Sequence, residues 1–149
     1  MIRLRFNYRE VNPGAFQAML KFDQFANSVD IDPILRELIK IRVSQLNGCA
    51  FCIDSHTRDA RKIGESEQRI YLLNAWRETT LFSAQEKAAL HLAEAMTRIS
   101  EHGLTDEVYE QARAHYNEKQ IIDLIMIINV INSWNRIGVS MQLDPGQNK

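Results

Sequence analysis

The chain has 149 residues, enough to bury a hydrophobic core without metals or disulfides as staples. Apolar residues make up 45% and charged residues 25%, which excludes a disordered or collagen-like chain and predicts one folded domain over 1–149. Eighteen basic and nineteen acidic side chains leave a net charge of −1, so there is no basic field to attract phosphates or anionic lipids, and neither nucleic acid nor a membrane surface is expected as a partner.

Asn12-Pro13-Gly14 reads as a turn, after Ile2 to Tyr8, a stretch compatible with extended chain. Phe16, Met19, Leu20, Phe22 and Phe25 then recur at helical spacing up to about Ser28. Asp32 and Pro33 are suited to the N-cap and first position of a second helix, which carries Leu35, Leu38, Ile39, Val43 and Leu46 and stops at Asn47-Gly48. A third helix is predicted from about Cys49 to Lys62, closed by Gly64. Ser66 begins a short fourth, bearing Ile70, Leu72, Leu73 and Trp76, followed by a connection from Glu78 to Phe82.

Ser83 and Glu86 form a capping box, in which hydroxyl and carboxylate reciprocally satisfy free N–H groups, and the helix they open runs to His102-Gly103. Thr105 caps a sixth helix with Val108, Tyr109 and Ala112, and Asn117 with Gln120 opens a last one from Glu118 to about Met141. The polar tail from Asp144 should fray. The fold class is therefore all-α, a bundle of about six to seven helices.

The first ten residues lack the apolar stretch of a secretory signal, so a cytoplasmic location is expected. The longest apolar run, Ile121 to Ile131, is interrupted by Asp123 and Asn129 and is too short to span a bilayer. A helix with so little polar side must be buried on several faces, which predicts packing against a sister chain in a homo-oligomer.

The two cysteines, Cys49 and Cys52, stand three residues apart where helical periodicity resumes after a glycine stop. A helix N-terminus stabilises the thiolate, the reactive form of cysteine, through its free N–H groups and dipole. Three residues in a first turn also bring two sulfurs within bonding reach, so one can attack a substrate and the other can resolve the product as a disulfide. His56, four residues after Cys52, lies on the same face one turn away. Glu37, on the preceding helix, is about 15 Å from the Asn47-Gly48 turn, and His56 is about 12 Å from it at 1.5 Å per residue. A fold-back at that turn would place them at similar depth, giving a base, a relay and a nucleophile.

Glu37 followed by Cys49, Cys52 and His56, in the setting Ser44-Gln-Leu-Asn-Gly-Cys-Ala-Phe-Cys-Ile-Asp-Ser-His56, resembles the AhpD-like alkylhydroperoxidase branch of the carboxymuconolactone decarboxylase superfamily. The likeness is densest over 32–64, and Asn132-Ser-Trp-Asn-Arg136 resembles the closing helix of that family. The resemblance implies an all-helical oligomer, trimer or hexamer, that reduces a small-molecule hydroperoxide at the expense of an external thiol reductant and needs no cofactor. It assigns Cys52 as the peroxidatic thiol, Cys49 as the resolving thiol, His56 as the proton relay and Glu37 as the base acting on it. Phe51 stands between the cysteines where some members carry a second histidine, and those members are longer.

Other readings compete. Lactone decarboxylation is the rival among enzymes, but decarboxylase members generally lack the paired cysteines, so their presence favours redox chemistry; a redox-sensing module without turnover is the rival outside enzymes. Zinc could in principle be held by Cys49, Cys52, His56 and Glu37, although no second cysteine pair exists. Haem attachment is excluded because Ile53, not histidine, follows Cys52. His91, His102 and His115 have no constellation around them, Trp76 and Trp134 read as core or interface aromatics, and Arg58, Arg61 and Lys62 as a solvated face.

Overall fold

A computed structural model describes residues 3–148, and among them the chain forms nine α-helices, two short 3-10 helices and no strand. In chain order they are α1 (Tyr8–Val11), α2 (Pro13–Ser28), α3 (Pro33–Asn47), α4 (Ala50–Lys62), α5 (Glu67–Leu72), α6 (Ala84–Thr97), α7 (Ile99–His102), α8 (Asp106–Arg113) and α9 (Glu118–Met141). The 3-10 helices cover Leu73–Glu78 and Pro145–Asn148. No helix among the described residues is long and apolar enough to cross a membrane.

The helix starts follow from side chains that satisfy free N–H groups. Asp32 accepts from the backbone of Ile34 and Leu35, at 2.7 and 3.2 Å. Ser83 with Glu86 and Asn117 with Gln120 each close a capping box at the head of α6 and α9. Two single-turn helices depart from the sequence reading. Asn7 caps α1 through Arg9 N–H, and residues 3–7 before it pair in no strand; Ile2 lies outside the described residues. The helix expected from Ser83 to His102 is broken at Arg98 (φ −104°, ψ 32°), which separates α7 from α6. The tail is ordered further than its polarity suggests, because Asp144 accepts from the N–H groups of Gly146 and Gln147; Lys149 lies outside the described residues.

α3 is the central helix, and its side chains divide between two cores. Leu35, Ile39 and Val43, spaced four apart, face a large cluster with α2, α6, α8 and α9. Leu38 and Ile41 face a smaller cluster with Ala60, Ile70, Leu73, Trp76, Phe82 and Leu90. Each such fully buried aliphatic side chain contributes about 1.5–3 kcal/mol of burial, so α3 is pinned in rotation from both sides. That fixes which of its polar residues point toward α4.

α9 is accommodated largely within the chain. Ile121, Leu124, Ile127, Ile128, Val130 and Ile131 are buried against the chain's own helices, while Ile122 and Val139 remain exposed. Its apolar circumference therefore finds most of its cover without a second copy.

Candidate active site

The site begins at the turn between α3 and α4. Gly48 adopts the left-handed conformation (φ 66°, ψ 34°), which closes α3 with Gly48 N–H on Gln45 O and Cys49 N–H on Ser44 O. The chain then enters α4 with Cys49 as its N-cap, and Cys49 Sγ accepts the Cys52 N–H at 3.3 Å. The first helical turn carries Cys52 back over Cys49, their Cα atoms 5.3 Å apart and their sulfurs joined as a disulfide. Both residues are almost fully buried, at 2% and 5% exposure.

α4 folds back along α3, and this brings His56 Nδ1 within 2.8 Å of Glu37 Oε2. Glu37 is buried. Burial alone would raise its carboxyl pKa, but the His56 hydrogen bond, with the charges of His56, Lys40 and Arg36, outweighs that effect and holds it below the ordinary value. An ionised carboxylate only accepts, so Nδ1 carries the proton and, in the neutral ring, Nε2 is left as the basic nitrogen. Lys40, itself buried, stands 3.7 Å from Glu37 Oε1 and donates to Asn27 Oδ1 at 2.7 Å, which anchors it between α2 and the carboxylate.

α9 supplies the floor. Gly138 packs so closely on the disulfide that a Cβ there would lie 2.9 Å from Cys49 Sγ and 3.4 Å from Cys52 Sγ. Nearby, Asn47 Nδ2 donates to Asn132 Oδ1 and Asn135 Oδ1, at 2.9 and 3.0 Å, and Asn135 Nδ2 donates to Ser44 Oγ at 2.9 Å. This amide network ties the end of α3 to α9 and keeps buried polar groups satisfied. Neither Gly138 nor the asparagines are among the site residues read from the sequence. The available signals are a glycine inside a long apolar helix, where alanine would be favoured, and polar residues recurring in the same helix.

A cavity of about 280 Å³ opens on Cys52 and His56. Its walls include Tyr8, Phe16, Phe51 and Trp134, so the half-buried Trp134 both packs against the larger core and lines the cavity. Trp76, by contrast, is buried in the smaller core, its Nε1–H donating to Glu94. Cys49 does not line this cavity and lies behind Cys52, against Gly138. A separate cavity of about 350 Å³, bordered by Arg77, His91, Glu94 and His102, has no nucleophilic thiol.

The zinc alternative requires two free thiolates, whereas here the sulfurs are bonded to each other. Among the described residues, the ligand atoms close enough to share a cation belong to Glu37, His56 and Asp59, within 4.8 Å of one another. The first two of these already satisfy each other. His91 binds Gln111 Oε1, and His102 and His115 are exposed. Arg58, Arg61 and Lys62 make exposed ion pairs with Asp54, Glu67 and Asp59.

The model of the carboxymuconolactone decarboxylase family matches residues 13–95, more than half of the chain, and this span contains Glu37, both cysteines and His56. The chain belongs to that family and is AhpD-like. The uncharacterized Bacillus subtilis protein YdfG is 53% identical to this AhpD-like chain over 137 residues, covering 92% of the chain and 93% of YdfG. A crystal structure of an Agrobacterium tumefaciens protein of unknown function, a candidate AhpD antioxidant defence protein, superposes with a TM-score of 0.93 at 38% identity, over 95% of this chain and 97% of its own. The alkyl hydroperoxide reductase AhpD of Solibacter usitatus is 40% identical over 68 residues, which are 44% of this chain and 38% of that protein.

Proposed function

We propose that this AhpD-like protein is a thiol peroxidase that reduces organic hydroperoxides through a dithiol–disulfide cycle of Cys49 and Cys52. The observation that carries this reading is an asymmetry: Cys52 lines the cavity together with His56, while Cys49 lies behind it within bonding distance. The name of the Solibacter usitatus relative points to the same chemistry.

In the reduced protein, His56 Nε2 takes the Cys52 thiol proton, and Glu37 stabilises the resulting imidazolium across the 2.8 Å contact. The thiolate attacks the terminal peroxide oxygen, the O–O bond breaks, and the departing alkoxide receives the proton from His56 as an alcohol. Cys52 is then a sulfenic acid, oxidised by two electrons. The Cys49 thiol attacks that sulfur, forming the disulfide and releasing water. An external dithiol returns two electrons and two protons by thiol–disulfide exchange, itself becoming a disulfide. The chain acts as a homo-oligomer, trimer or hexamer, in the cytoplasm.

Replacing Cys52 with serine removes the cysteine that lines the cavity and leaves Cys49 behind it. Cys52→Ser is expected to abolish dithiol-dependent consumption of cumene hydroperoxide, and unchanged consumption would end the peroxidase reading. Lactone decarboxylation would survive the loss of both thiols, so the double variant Cys49→Ser/Cys52→Ser separates the two enzymatic readings. A disulfide that forms once, without steady-state consumption, would mark a redox-sensing module.

A further inference from the structure

The cavity over Cys52 contains a cation that the thiol cycle does not use. The segment before α1 is tied to the end of α9: Arg5 donates its backbone N–H to Met141 O at 3.1 Å and its Nε–H to Ser140 O at 2.9 Å. A guanidinium on the last carbonyls of a helix is favourably placed against the dipole. This anchorage holds Tyr8 and Arg9 at the cavity, where Tyr8 meets Phe16 edge-on (ring centroids 5.9 Å apart) and Phe16 meets Trp134 (6.4 Å).

Arg9 lies over the Phe16 ring, its Cζ 4.6 Å from the centroid. Stacking uses the face of a guanidinium and leaves its in-plane N–H donors free, a geometry matched to a carboxylate. Among the described residues, the Arg9 guanidinium has no hydrogen-bond or ion-pair partner. The acids that share the cavity are already engaged. Asp23 accepts from Trp134 Nε1 at 3.2 Å and from Asn27 Nδ2 at 2.9 Å, and Asp59 stands 3.6 Å from Lys62. The cavity therefore offers one uncommitted cation on an aromatic wall, with Cys52 lining the same space. A volume of about 280 Å³ suits a single ring or a short chain.

We propose that Arg9 sets the specificity of this cavity and that its ligand is an aromatic monocarboxylate, with the ring against Phe16 and Trp134 and the carboxylate on Arg9. Taken together with the peroxidase reading, on which only this step rests, the substrate is a hydroperoxide of such an acid, its peroxide end directed at Cys52.

Binding is tested on the disulfide form, which does not turn over, by calorimetric titration with 3-phenylpropanoate and with its uncharged analogue 3-phenylpropanamide. The wild-type chain is expected to bind the acid about ten- to a hundredfold more tightly than the amide, the range of a charge-assisted hydrogen bond. Arg9→Met should erase that preference, and Arg9→Lys should keep part of it, because an ammonium lacks the planar fork. Arg9 is exposed, so the fold should survive, which far-ultraviolet circular dichroism checks. Equal binding of acid and amide by the wild type, no binding of either, or an undiminished preference in Arg9→Met would overturn the proposal. The titration involves no peroxide, so its failure leaves the peroxidase reading intact, and inactivity toward peroxide leaves the binding result standing.

Discussion

Gly138→Ala isolates the contact between α9 and the disulfide, because two opposing effects act on different redox states. Gly138 sits inside α9, where alanine would be favoured by about 1 kcal/mol through backbone entropy alone. The added Cβ would meet Cys49 Sγ at 2.9 Å and Cys52 Sγ at 3.4 Å. While the sulfurs are bonded, neither has a rotamer to which it can yield, so the clash falls on the packed core, and overpacking of this kind costs about 1–3 kcal/mol. In the dithiol form Cys49 Sγ is free to rotate away and the helix-propensity gain remains. The variant should therefore disfavour the disulfide relative to the dithiol by roughly 1–3 kcal/mol, which for a two-electron couple is about 20–60 mV toward a more oxidising potential. Equilibration in dithiothreitol buffers, followed by alkylation and mass analysis, measures the potential, and thermal melts of both forms measure the partition. A potential that stays put or becomes more reducing, or an equal loss of stability in both forms, would refute the reasoning.

The relay makes its own predictions. His56→Gln should lower peroxide consumption by about a hundredfold or more, the usual scale for loss of a positioned base. Glu37→Gln should lower it less, and the double variant should be no slower than His56→Gln, because the carboxylate acts through the imidazole; additive losses in steady-state kinetics would contradict this. Acid should unfold the protein in a characteristic window. The carboxyls of Glu37 and Glu94 both lie below their ordinary value near 4.5 despite the opposing effect of burial, Glu37 through His56 and its neighbouring cations and Glu94 through hydrogen bonds with Arg42, Trp76 and Arg77. The unfolded chain thus binds protons more readily than the folded one, and the stabilisation is present above about pH 4.5 and lost as pH falls through the folded-state values. Thermal melts between pH 3 and about pH 7 should fall steeply below that point, and Glu94→Gln should lie lower at neutral pH with a shallower acid slope.

Much of the helical layout was legible because each helix start carries its own local chemistry: Asp32 before Pro33, Ser66, Ser83 with Glu86, Thr105, and Asn117 with Gln120 all cap where their residue types require. The left-handed Gly48 likewise announces the turn that presents the cysteines. The single-turn helices were not legible, since α1 depends on Asn7 and Asn12 capping in succession and the break at Arg98 has no glycine or proline to signal it. In the site, the Cys49, Cys52 and His56 arrangement is a matter of helical period within one element. Glu37 lies on another helix and stood out only through family likeness, because an isolated glutamate reads as a solvated charge. Gly138 and the amides of Asn47 and Asn135 matter through packing across some ninety residues of sequence, which local pattern does not encode. For the same reason the sequence of α9 alone does not apportion its burial between the chain's own α2, α3, α6 and α8, which cover most of its apolar circumference, and a sister copy.

The central claim is that Cys52 takes oxygen from a peroxide and Cys49 resolves it. The most direct test is mass spectrometry of the fully reduced chain after one equivalent of cumene hydroperoxide, with the Cys49→Ser variant in parallel. The wild type should lose two hydrogens and yield a Cys49–Cys52-linked peptide, while the variant should carry one added oxygen on Cys52. Two free thiols in the wild type after complete mixing, or oxygen found on Cys49 in a Cys52→Ser control but never on Cys52, would contradict the account.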